Sequence, residues 1–222
     1  MFTEDTFAPA PLGLKITFIA HSTLILTYGE TVIHVDPVGQ FADYAKLPRA
    51  DIVLVTHEHS DHLDPAAIEA VRTAATSVVV AMKCAAAAKG AIVLRNGDSR
   101  ALKGIRIEAV PAYNVVHMRA PGTPFHPKGE GNGYVLTLGS RRLYVAGDTE
   151  NTREMKALRR IDIAFLPMNL PYTMTPEMVA DAARAFQPKI LYPYHFGDTN
   201  VKKIEELLAS EKGIEVRLRP MR

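Results

Sequence analysis

The chain has 222 residues, 47% hydrophobic and 23% charged. These values suit a globular domain with a sizeable core and exclude a fold that needs a staple to form. The 26 lysines and arginines against 24 acids leave a net charge of +2, too little for a polycationic nucleic-acid binder. The single cysteine, Cys84, excludes an internal disulfide.

The chain opens Met-Phe-Thr-Glu-Asp, acidic where a secretory leader is basic. Its apolar runs stay far below the ~18 residues of a membrane span. The expectation is a cytoplasmic protein. Residues 24–35 read as strand, turn, strand and end at Asp36-Pro37. A buried strand follows at 52–55. Asp64-Pro65 then supplies an N-cap and a first-turn proline for a helix to about residue 72. The run 78–82 is strand-sized, and the alanine-rich 82–89 predicts a further helix. A strand is expected over 105–110. Residues 120–133, dense in proline and glycine, read as a long irregular loop, a frequent carrier of function.

Residues 134–145 repeat the strand–turn–strand pattern and end at Gly147-Asp148-Thr149. In both halves a second aspartate, Asp51 or Asp162, opens a buried strand. Thr175-Pro176 repeats the helix-start signal for a helix to about 186. Residues 189–193 read as a strand, and 199–209 as a helix whose Ile204, Leu207 and Leu208 share a face. Two copies of one strand-rich unit, about 14–105 and 106–218, with helices interspersed, predict an α/β layered protein. Its two sheets share a core with helices outside.

Three of the eight histidines fall in Thr56-His57-Glu58-His59-Ser60-Asp61-His62, directly after a buried strand. Imidazole and carboxylate are ligands for a divalent transition metal. In extended chain His57 and His59 share one face and can bind one ion. Asp61 and His62 lie beyond the turn, within reach of a second. Three charged imidazoles this close would repel, and a metal binds them neutral.

His57-x-His59-x-Asp61-His62 resembles the signature of the metallo-β-lactamase superfamily. Gly147-Asp148-Thr149 resembles its later aspartate motif, and His195 in Tyr192-Pro-Tyr-His-Phe its last histidine. The resemblance implies a single-domain four-layer αββα sandwich of two related halves. Within the superfamily, the length and Asp36-Pro37 look closest to the ascorbate-6-phosphate-lactonase-like hydrolases. By the same resemblance His57 and His59 would hold one metal, Asp61, His62 and His195 the other, and Asp148 would bridge them. The family's third histidine on the first metal is expected after the 105–110 strand, where this chain has Asn114. His126 is the preferred replacement, ahead of His117 or an incomplete site.

Further candidates follow from position. Asp36 could accept a hydrogen bond from a ligand histidine and fix its ring. His34 reads as a structural histidine. His21, Lys128 and Tyr172 are candidate substrate contacts, with Thr173 beside Tyr172. Two divalent ions, zinc foremost and manganese or iron as alternatives, would supply a metal-bound hydroxide. Asp61 would orient it and take its proton. The expected activity is hydrolysis of a lactone, ester, amide or phosphodiester in a small molecule, anionic ones included. No membrane or nucleic-acid partner is expected, and homo-oligomerisation stays open. The alternatives are a nuclease of the same superfamily, an iron-dependent oxidoreductase and a non-catalytic metal-binding protein.

Overall fold

In the computed structural model, which describes residues 2–8 and 12–222, two seven-stranded sheets face each other. The first takes β1 (Thr3–Phe7), β2 (Leu14–Ala20), β3 (Thr23–Tyr28), β4 (Thr31–Val35), β5 (Ile52–Val55), β6 (Ser77–Val80) and β7 (Ile92–Val93) in sequence order, with α1 (Pro65–Val71) between β5 and β6. The second sheet begins with β8 (Ser99–Leu102) and β9 (Ile105–Ala112), and a small hairpin of β10 (Met118–Ala120) and β11 (Thr123–Pro124) stands outside both. Then come β12 (Gly131–Leu138), β13 (Arg141–Val145), α2 (Arg153–Lys156), β14 (Ile163–Pro167), α3 (Pro176–Phe186), β15 (Ile190–Tyr194), α4 (Lys203–Leu207) and β16 (Glu215–Val216).

The repeat is visible in the pairing. β3–β4 and β12–β13 are antiparallel hairpins, and each continues through parallel neighbours, β5 and β6 in one sheet and β14 and β15 in the other. The sheet changes between Val93 and Ser99, earlier than the division at 105/106 read from the repeat. β8 belongs with the second half because it pairs antiparallel with β9.

Parallel strands covered on both faces read as unbroken apolar runs, and all four residues of β5 are buried. Ile52 and Leu54 point into the core between the sheets, while Val53 and Val55 pack with Ile68 and Val71 of α1. On the far side Val179, Ala183 and Phe186 of α3 and Ile204 of α4 join the main core. The layers are therefore helix, sheet, sheet, helix, the metallo-β-lactamase fold. Fully buried Phe18, Phe165 and Tyr192 cross the interior, with Phe165 and Tyr192 stacked at 5.0 Å. Each ring of this size is worth roughly 1.5–3 kcal/mol of burial.

Both cap signals form. Asp64 accepts from the Ala66 and Ala67 amides, and Thr175 from Met178. Residues 82–89 do not form the expected helix. Only a 3-10 turn, Met82–Cys84, appears, with Cys84 its single buried residue. The exposed alanines have too little apolar surface to offset helix nucleation. α4 is shorter than the expected 199–209, and the irregular stretch 120–133 contains β11 and the start of β12. Among the described residues no helix is long and apolar enough to cross a membrane.

Candidate metal centre

The two parallel strand sets end at the same edge, where open α/β sheets place ligands. β4 runs into Asp36, β5 into Thr56 and His57, β13 into Asp148, and β15 into His195. Past β5 the chain turns back at once: the His62 and Leu63 amides both donate to the His59 carbonyl at 2.9 Å. Gly147 lets β13 deliver Asp148. Its φ is +66°, and a Cβ there would lie 2.8 Å from the Asn132 carbonyl oxygen. His21, Asp36 and His195 also sit at positive φ, at 56°, 44° and 45°. Such left-handed backbone costs energy in non-glycine residues and concentrates at functional sites.

These turns bring the candidate ligands together. The donor atoms of His57, His59 and His126 lie within 4.8 Å of one another, as do those of His21, Asp61, His62 and His195. His57 Nε2 stands 3.1 Å from His59 Nδ1, and Asp61 Oδ2 lies 3.6 Å from His195 Nε2 and 3.8 Å from His62 Nε2. Asp148 lies between the groups. Its Oδ2 is 3.3 Å from His126 Nε2, 3.4 Å from His195 Nε2 and 3.9 Å from His57 Nε2, and its Oδ1 is 3.4 Å from His62 Nε2.

The electrostatics are those of a site built for cations. Burial, then the neighbouring His62, pushes His57 well below the ordinary imidazole range, and burial and His126 lower His59. Burial also opposes ionisation of Asp148 and Asp61. Around Asp148 the charges of His195 and His62 outweigh it; around Asp61 the neighbouring His195 and the hydrogen bond to His21 do the same, and both carboxyls stay below their usual range. His62 goes the other way: burial disfavours its charge, but Asp148 and Asp36 raise it to about 9. His62 Nε2, Asp148 Oδ1 and His195 Nε2 are buried without a hydrogen-bond partner. Buried polar atoms are rarely left so. Here they converge as a donor set that fits a divalent metal.

A supporting shell holds the rings. Asp36 Oδ2 accepts from His62 Nδ1 at 2.7 Å, and the Thr56 amide and hydroxyl donate to Asp36 at 2.8 and 2.7 Å. The bond leaves His62 Nε2 free to face Asp148. Asn114, which replaces the expected histidine, is buried and does the same for His126. Its Oδ1 accepts from the His126 backbone amide and from Nδ1, each at 2.8 Å, and its own amide donates to the His126 carbonyl at 2.9 Å. Asn114 is held in turn by Glu150 and the Tyr172 carbonyl. Buried Glu150 accepts from the backbone amides of Val115, Val116 and His117 and from His117 Nδ1. Burial raises its pKa, but those amides outweigh it and hold the carboxyl below its usual range. An Asn114→Ala variant is therefore expected to bind metal roughly 10–100-fold more weakly, the usual cost of losing a partner that orients a ligand. Chelator competition measures it, and an unchanged affinity would remove Asn114 from this role.

The remaining sequence candidates divide. His21 reaches Asp61 Oδ2 at 3.1 Å and packs on His195, ring centroids 3.7 Å apart. Tyr172 lines a cleft of about 370 Å³ that opens onto Asp61, Asp148 and His195. Thr173 is buried, bonded to Asn169. Lys128 does not join them: its ammonium pairs with Glu154 at 2.8 Å and lies over the Tyr113 ring. His117 serves Glu150 and joins neither donor group. His34 donates to the Pro48 carbonyl, and burial lowers it to about 4. Sequence reasoning missed Glu150, Arg119 and Phe125. Only the acid directly after Asp148-Thr149 could have signalled the first.

Residues 15–195 match the model of the beta-lactamase superfamily domain. A UPF0173 metal-dependent hydrolase from Pelotomaculum thermopropionicum is 31% identical over 193 residues, covering 82% of this chain and 84% of its own. A crystal structure from Parabacteroides distasonis, of a protein provisionally assigned as a metal-dependent hydrolase, superposes with a TM-score of 0.95 at 48% identity and covers all of both chains. A metallo hydrolase from Ignicoccus hospitalis shares the fold at a TM-score of 0.76 and 23% identity, covering 94% of this chain and 96% of its own.

Proposed function

The chain belongs to the metallo-β-lactamase superfamily and, within it, to the UPF0173 metal-dependent hydrolase family, and on that premise we propose that it is a hydrolase of small molecules with a two-ion centre. The observation that carries the reading is the position of the Asp148 carboxylate, within 3.3–3.9 Å of four histidines drawn from both donor groups. His57, His59 and His126 would hold one ion, and Asp61, His62 and His195 the other, with Asp148 shared. The nitrogen and carboxylate donors suit zinc, and the acid-rich second group also suits manganese or iron. Two such ions, when bound, acidify a water and polarise the carbonyl or phosphoryl oxygen under attack.

The chain's own residues do the rest. Asp61 faces the cleft with its side chain 42% exposed, so it orients the water and accepts its proton. His21 fixes the Asp61 carboxylate. Asp36 and Asn114 each hold one imidazole with its Nε2 toward the centre. The target bonds are lactones, esters, amides and phosphodiesters. Elemental analysis should find two divalent ions per chain, and a panel of those four bond types should yield turnover that chelation abolishes. Full metal content with no turnover across the panel would overturn the reading.

The two donor groups should respond differently to acid. Metal binding requires neutral imidazole. His62, raised to about 9, is protonated in the metal-free protein at neutral pH, so an ion there must displace a proton. Its affinity is full above about pH 9 and falls about tenfold per unit below it, by mass action. His57 and His59 are held below the ordinary value and need no such displacement at neutral pH. Acid titration should therefore release the ion of Asp61, His62 and His195 first. Metal counts across pH 9 to 5 check this, and simultaneous loss of both ions would contradict it.

A further inference from the structure

The cleft over the centre is lined by several of the candidate ligands and by Ser60, Arg119, Phe125, Asn169 and Tyr172. Its volume, about 370 Å³, lies at the small end of the roughly 300–1,000 Å³ typical of ligand sites. Arg119 is the one lysine or arginine on that lining. It sits in β10, on the hairpin closed by Gly122 at φ +75°. Its guanidinium lies 5.6 Å from the centroid of the Phe125 ring, and Phe125 meets Tyr172 edge-on at 5.1 Å. Phe125 directly precedes His126, so this wall is tied to the centre through the backbone.

What marks Arg119 is that a guanidinium on the cleft lining has no carboxylate partner among the described residues. Lys83, Arg142 and Lys128 each reach a carboxylate within 3.3 Å. Arg119 has neither an ion pair nor a hydrogen bond among the described residues. The aromatic face steadies its guanidinium without consuming its donors. An arginine so placed presents a planar fork matched to a carboxylate or phosphate. The neighbouring Phe125 and Tyr172 offer apolar ring faces of a kind that aryl and acyl groups pack on.

We infer that Arg119, Phe125 and Tyr172 form a substrate subsite for a small molecule carrying both an anionic group and an apolar or aryl portion. Arg119 takes the anion and the two rings take the apolar part. The inference rests on the hydrolase reading and deepens it, with Arg119 rather than Lys128 as the cationic substrate contact. Arg119 here acts in selection, because the acid–base chemistry belongs to Asp61.

The test separates the subsite from the reaction. Binding of benzoate and of neutral benzamide to the metal-loaded protein is measured by calorimetry or ligand-observed NMR, for wild type, Arg119→Gln and Arg119→Lys. In parallel, kcat and KM are measured for ester pairs differing only by a remote carboxylate or its carboxamide. Wild type should prefer the carboxylate. Arg119→Gln should cut that preference by roughly tenfold to a hundredfold, the weight of a charge-assisted hydrogen bond, chiefly through Kd and KM. Arg119→Lys should restore part of it, and metal content should not change. An equal preference in wild type and Arg119→Gln overturns the subsite, whether or not the esters are cleaved. Loss of benzoate preference in Arg119→Gln upholds the subsite even where the loaded wild type cleaves no ester; the hydrolase reading falls only if lactones, amides and phosphodiesters also give no turnover.

Discussion

Asp148→Asn is expected to lose at least one of two ions and nearly all hydrolysis. The side chain is buried, and its two oxygens face four imidazole nitrogens at 3.3–3.9 Å. Asparagine keeps the shape and one oxygen but removes the negative charge that would offset two dications at once. Its amide would also aim N–H groups at nitrogens meant for metal. The fall in turnover should match or exceed the roughly 10²–10⁴-fold of a lost acid–base group, because the fault lies in the centre itself. Elemental analysis and turnover on the same preparation give the answer. Two ions per chain with near-normal activity would break the two-ion reading and leave Asp148 a structural acid.

Asp61→Asn should act on the chemistry more than on the fold. Asp61 touches His21 at 3.1 Å and faces the cleft. The nearby His195 imidazole and the hydrogen bond to His21 hold the carboxyl below its usual range, so it stays ionised across the working pH. It can therefore orient water and pass a proton on, not store one. The amide has no basicity, so turnover should fall roughly 10²–10⁴-fold. Metal at His57, His59 and His126 should remain. If both ions stay and the drop is under about tenfold, Asp61 leaves the mechanism. If metal content changes and no activity exists in either protein, the chain is a metal-binding relic.

Much of the architecture was legible because the signals are local. The caps at Asp64 and Thr175 are hydrogen bonds spanning two or three residues. The apolar runs of β5 and β14 encode burial on both faces. His57, His59, Asp61 and His62 share one turn after one strand, so their convergence needs no distant partner. Their metal roles, and those of Asp148 and His195, remain proposals that this convergence supports.

The sequence by itself determined that a histidine- and aspartate-rich turn follows a buried strand, and that a second half repeats the first. It preferred His126 to His117 but held no contact that separates them, because the surroundings of each are set by distant parts of the chain. Asn114 meets His126 twelve residues on, and Glu150 draws His117 away from thirty-three residues beyond. Lys128 and Arg119 were equivalent as letters. Only packing gave Lys128 to Glu154 and left Arg119 over the cleft. The alanine run at 82–89 had the propensity of a helix but buries little beyond Cys84. Propensity is a property of a few residues, whereas ligand choice, pairing of charges and the worth of a buried face depend on which distant segments the two sheets bring to one edge.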